Sequence, residues 1–169
     1  NRKGDLHGAV VHSGKNDFIV GFDIEEFAEY ADDPSKMKAV ARNGHDLMNR
    51  FESLGIPFVA AIDGNCLGGG LEVALACHAR IASTSERTKL GFPEVMLGLF
   101  PGGGGTQRAP RLIDLQLALQ MILTGKTLNA RKAKKEGLVD DVVHPGILLQ
   151  VAAEKARELH SKGKEKAGF

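Results

Sequence analysis

The stretch Asn65-Cys66-Leu67-Gly68-Gly69-Gly70-Leu71-Glu72 constrains the fold more than any other part of the chain. Three successive glycines allow a sharp backbone reversal and leave bare amides open to close approach. An apolar run, Phe58 to Ile62, precedes it and ends at Asp63-Gly64. A helical run, Leu71 to Cys77, follows it. A strand, a glycine turn and a helix in that order form one unit of an α/β chain. The amides of such a turn sit at a helix N-terminus, where negative charge is stabilised.

The alternation extends along the rest of the sequence. Gly8 to Ser13 reads as a buried strand and Phe18 to Val20 as a brief extended piece. Met37, Val40, Ala41, Leu47, Met48, Phe51 and Leu54 recur at helical spacing between Pro34-Ser35 and Gly55. Ala79 to Ala82 and Lys89 to Gly91 read as extended. Thr106 to Ile113 and Leu115 to Leu123 read as helices. Asn129 caps a short helix through Lys135 that Gly137 stops. Val142-Val143 is a short strand, and a last helix runs near Ile147 to Leu159. No boundary or repeat divides the chain, so one α/β domain over residues 1–169 is expected, with a solvated tail from Ser161.

Charge and composition exclude several function classes. The net charge is +1, and the 169 residues include no Trp and one Tyr. No basic stripe with interleaved aromatics points to nucleic acid. No apolar run approaches the ~20 residues of a membrane span. Cys66 and Cys77 are the only cysteines, without metal-ligand spacing, and read as buried thiols in a reducing compartment. No signal peptide is visible, so the expected location is cytoplasmic; the chain opens on Asn1 rather than Met, and the location would be mitochondrial if a transit segment is missing.

Familiar catalytic motifs fail. Gly125-Lys126-Thr127 resembles the end of a phosphate loop, but Gln120 stands where the first glycine belongs. No dinucleotide fingerprint follows a strand. His78 alone is no metal-ligand set. Ser83 and Ser85 lack a nucleophile elbow. What remains is two carboxylates and two glycine clusters. Glu72 lies in the first helical turn, where an acidic residue also favours the helix dipole. Glu94 follows Pro93, an ordinary way to start a helix. Pro101-Gly102-Gly103-Gly104-Gly105-Thr106 is the second cluster. Each feature alone has a structural reading. Together they suggest chemistry on a carbonyl whose oxygen becomes negative in the transition state.

Ile62-Asp63-Gly64 through Arg108 resembles the signature region of the crotonase (enoyl-CoA hydratase/isomerase) superfamily, and Gly21-Phe22-Asp23-Ile24 resembles its upstream element. Ala76 to Ala82, Lys89 to Val95, Leu123 to Lys126 and Gly137 to Asp140 are most similar to the hydratase/isomerase domain of multifunctional fatty-acid oxidation α-subunits. The resemblance implies a crotonase-like spiral of ββα units, incomplete at both termini. It implies trimer-based self-association, or association with a thiolase subunit. The amides of Phe22 and Gly69 would form an oxyanion hole for an acyl-CoA thioester. Glu72 and Glu94 would hold a water over the β-carbon, helped by the Gly102 amide. Glu72 would be chiefly the base and Glu94 chiefly the proton donor. Members confined to isomerisation usually lack the first carboxylate, so Glu72 favours hydration.

The implied reaction is hydration of trans-2-enoyl-CoA to 3-hydroxyacyl-CoA in fatty-acid β-oxidation, with Δ3-Δ2 isomerisation as a second activity of Glu94. No metal or separate cofactor is expected, CoA being part of the substrate. Phe22 stands where the family usually has alanine; its amide can still donate, while its ring would narrow the acyl or CoA channel or twist that amide away. Two other readings stay open: thioester hydrolysis, and a catalytically weak acyl-CoA-binding or assembly fragment. Lys3, Lys126 and Arg108 are expected to be surface charges.

Overall fold

The computed structural model describes residues 6–21 and 33–163. Among the described residues the first six strands alternate between two sheets. β1 (Ala9–Val11), β3 (Phe58–Ile62), β5 (Ala79–Ser83) and β8 (Asp141–Val143) form one four-stranded sheet in that order, all parallel. β2 (Ile19–Val20), β4 (Asn65–Leu67), β6 (Lys89–Gly91) and β7 (Thr127–Asn129) form the other. Its first three strands are parallel, and β7 closes it antiparallel to β6. Each step from one β pair to the next passes through helix, which is the ββα spiral.

The helices are α1 (Pro34–Ser53), α2 (Gly69–Ala76), α3 (Gly105–Arg108), α4 (Leu115–Thr124), α5 (Ala130–Glu136) and α6 (Leu148–Ser161). Asp33 caps α1 by accepting from the Ser35 and Lys36 amides. Asn129 caps α5 by accepting from the Lys132 amide, and Gly137 ends it. Among the described residues no helix is long and apolar enough to cross a membrane.

β3 and β5 are buried along nearly their whole length, as expected of parallel strands covered on both faces. Strand periodicity sorts their side chains into two cores. Val59, Ala61, Ala79 and Ile81 pack with Leu148, Ala152, Ala156 and Leu159 of α6. Ala60, Ile62 and Ala82 join Leu71, Leu75, Leu90, Phe92 and Met121 on the other side.

The start of α2 is fastened to the second sheet by glycine. Gly68 has φ +56 and ψ −127, a conformation that side chains rarely adopt, and its N–H donates to the Gly91 carbonyl at 2.9 Å. A Cβ on Gly70 would lie 2.1 Å from the Ile19 carbonyl oxygen. Backbone cannot give way there as a side chain tip would. Gly70→Ala is therefore expected to destabilise the fold by about 2–3 kcal/mol, read as a lower denaturant midpoint at unchanged slope.

The structure adds two strands that the sequence does not announce, β4 and β7, each three residues long. It also shortens the helix expected over Thr106 to Ile113 to the four residues of α3, followed by a 3-10 turn over Ala109–Arg111.

Candidate active site

The parallel strands of the second sheet end side by side, and the chemistry-bearing groups collect there. Gly21 N–H donates to the Leu67 carbonyl at 2.9 Å, setting the end of β2 against the end of β4. Phe22 and the residues through Asp32 lie outside the described residues, so the expected Phe22 amide is not placed. Gly69 is the first residue of α2. The first hydrogen bond of that helical turn runs from the Glu72 amide to the Gly68 carbonyl at 3.1 Å. The amides of Gly69, Gly70 and Leu71 precede it and have no carbonyl of their own helix to bond. The expected anion-holding amide of Gly69 is thus at a helix N-terminus.

Glu72 is 3 % exposed. Its Oε1 accepts from Gly103 N–H at 2.7 Å and from Gly105 N–H at 2.8 Å. The two glycine clusters therefore meet through one carboxylate. Burial pushes the Glu72 carboxyl above its ordinary value. The two amides pull it back, with help from the His45 imidazole and the Arg108 guanidinium.

Glu94 sits in a 3-10 turn over Pro93–Leu97, directly after β6. Its Oε1 lies against Gly68, 3.0 Å from where a Cβ would stand. Its Oε2 is buried and has no hydrogen-bond partner among the described residues. Burial raises this carboxyl too, and the charge of Glu72 pushes it further up. The two acids thus lie on either side of the turn that begins α2, close enough to feel each other, in unlike surroundings.

α1 supports the second glycine loop from outside. His45 Nε2 is 2.5 Å from the Gly102 carbonyl oxygen. Arg108 donates through Nε to Glu52 Oε1 at 2.8 Å, through Nη1 to the Gly103 carbonyl at 3.2 Å and through Nη2 to Asn49 Oδ1 at 3.4 Å.

Residues 2–168 match the family described as enoyl-CoA hydratase/isomerase. The chain belongs to this family. Among curated relatives, the fatty acid oxidation complex subunit alpha of Shewanella loihica is 53% identical over 152 residues. That match covers 89% of this chain and 21% of the relative. The same subunit of Shewanella frigidimarina is 51% identical over 163 residues, covering 96% of this chain and 22% of the relative. The chain thus spans about a fifth of the length of these relatives. A solved enoyl-CoA hydratase from Bacillus anthracis superposes with a TM-score of 0.81 at 36% identity, covering 91% of this chain and 59% of that one. One from Thermoplasma volcanium gives a TM-score of 0.85 at 28% identity, covering 95% of this chain and 65% of that one. The crotonase-like spiral read from the sequence is the fold of this enoyl-CoA hydratase/isomerase chain.

One expectation is overturned within the family frame. Arg108 is not a surface charge: it is 5 % exposed and ion-paired to the half-buried Glu52. Lys126 does lie at the surface, donating to exposed Gln120 at 2.7 Å. Lys3 lies outside the described residues. Gly102 is exposed at the site, next in sequence to the amide that binds Glu72. His45, Asn49, Glu52 and Arg108 were missed as contributors. A signal existed: residues 45, 48, 49 and 52 share one helical face, and only its apolar member Met48 fits the apolar pattern.

Proposed function

We propose that this chain adds water to the double bond of a trans-2-enoyl-CoA, giving a 3-hydroxyacyl-CoA in fatty-acid β-oxidation. The carrying observation is the contrast between its two acids. Glu72 accepts from two amides and lies near the Arg108 guanidinium, which offset part of the rise that burial imposes on its carboxyl. Glu94 has an unpartnered buried oxygen and an anionic neighbour, which favour the protonated form.

The steps follow from that contrast. Glu72 takes a proton from water as the oxygen bonds to the β-carbon. The π electrons move through the α-carbon to the thioester oxygen. The Gly69 amide, with the Phe22 amide as the second donor, holds that oxygen as its charge grows. Each such donor contributes about 3–4 kcal/mol to the transition state. Glu94 then delivers its proton to the α-carbon, and the Gly102 amide helps hold the water. The thioester itself takes up the negative charge, so the proposed steps call on no metal or redox cofactor.

Glu94 alone could move a proton between the α and γ carbons, giving Δ3-Δ2 isomerisation as a second activity. The relatives are named as subunits of a fatty acid oxidation complex, which supports association into a complex of that kind; a thiolase subunit or further copies of this chain are the partners proposed from the family resemblance. The buried thiols Cys66 and Cys77 fit a reducing, cytoplasmic setting.

The test follows the absorbance of a conjugated enoyl thioester. Loss of absorbance without release of free CoA supports hydration. Free CoA appearing in step with the loss would replace this reading by thioester hydrolysis, and binding without turnover by an acyl-CoA-binding module.

A further inference from the structure

The loop that grips Glu72 is built from glycines at positions 102–105, which have no side chains to lock their own conformation. Its aim must come from neighbours. The Gly102 carbonyl and the Gly103 amide belong to one planar peptide unit and point in opposite directions. At one end, His45 Nε2 meets the carbonyl oxygen at 2.5 Å. At the other, Gly103 N–H donates to Glu72 Oε1 at 2.7 Å. A carbonyl oxygen only accepts, so His45 presents Nε2–H to it.

We propose that His45 is a positioning residue for hydration, acting on Glu72 through the Gly102–Gly103 peptide, a role that rests on the function proposed above. Pinning both ends of one peptide plane fixes its rotation. It also lets the bonds polarise each other, so that donation to the carbonyl strengthens the amide as a donor. The rest of the α1 face holds the same loop. Met48 lies against Gly103, its Cε 2.9 Å from where a Cβ would be. Asn49 and Glu52 hold the Arg108 guanidinium, which fixes the next carbonyl, that of Gly103. A long helix thus sets the angle of an acid to which it contributes no ligand of its own. His45 is exposed, so replacing it removes little from the core.

His45→Leu removes the donor and His45→Gln supplies another N–H. The expected result is a kcat lowered about tenfold in His45→Leu with KM within about twofold, and most of the loss recovered in His45→Gln. The Gly103 amide proton, read by NMR in 15N-labelled protein, moves upfield in His45→Leu and returns toward its position in His45→Gln. An unmoved Gly103 amide in His45→Leu overturns the proposal whatever the activity. So does a His45→Gln variant as slow as His45→Leu, or a loss expressed in KM alone. A Gly103 amide that responds as expected in a protein that turns over no enoyl-CoA keeps the relay to Glu72 and overturns the hydration role.

Discussion

Glu72→Gln is expected to lower kcat/KM for enoyl-CoA hydration by about 10³-fold while leaving the fold in place. General-base catalysis by a positioned carboxylate contributes about 10²–10⁴-fold, and the amide cannot take up the proton. The fold survives because an amide oxygen can still accept from the Gly103 and Gly105 amides, the two donors to Oε1 among the described residues. The checks are steady-state kinetics on a short enoyl-CoA and an unchanged denaturant slope. A loss below about threefold would remove Glu72 from the base role.

Glu94→Gln is expected to lose about 10²–10³-fold in hydration and, at the same time, to gain stability at neutral and alkaline pH. The gain comes from the buried oxygen without a partner. Burial and the charge of Glu72 raise the folded-state value of this carboxyl above its ordinary 4.5. The folded chain therefore holds the Glu94 proton to higher pH than the unfolded chain does. The Glu94 contribution to wild-type stability is then fullest below about pH 4 and falls as pH rises through the window up to the raised value. Glutamine carries no such charge. Its melting temperature is expected above wild type at about pH 8, with the difference closing by about pH 4. A difference that stays constant with pH, or grows on acidification, would contradict the environment described for Glu94.

Much of this site was legible because it is written in local sequence. A glycine run before a helix gives a turn with open amides, and an acid in the first turn has few places to go. β3 and β6 are found where their residues indicate, and Asn129 and Gly137 bound α5 as their cap chemistry requires. β4 and β7 were not legible. Only Cys66 in the first and Leu128 in the second point fully inward, and three residues give no period to read. The burial of Arg108 was hidden for another reason. Glu52 lies 56 residues earlier, and nothing near Arg108 in sequence announces an ion pair formed across that distance. The exposure of Leu47 and Leu54, expected on the apolar side of α1, shows the same limit: that helix turns Met48 inward and spends much of the neighbouring face on polar contacts to the glycine loop.

The central claim is that main-chain amides and two unlike carboxyls converge on one thioester. The most direct measurement is a crystal structure of the protein with an acyl-CoA bound. The account predicts the thioester oxygen about 3 Å from the Gly69 amide nitrogen, with the β-carbon between the carboxyls of Glu72 and Glu94. A thioester seated away from the start of α2, or with either carboxyl turned from the β-carbon, would contradict it.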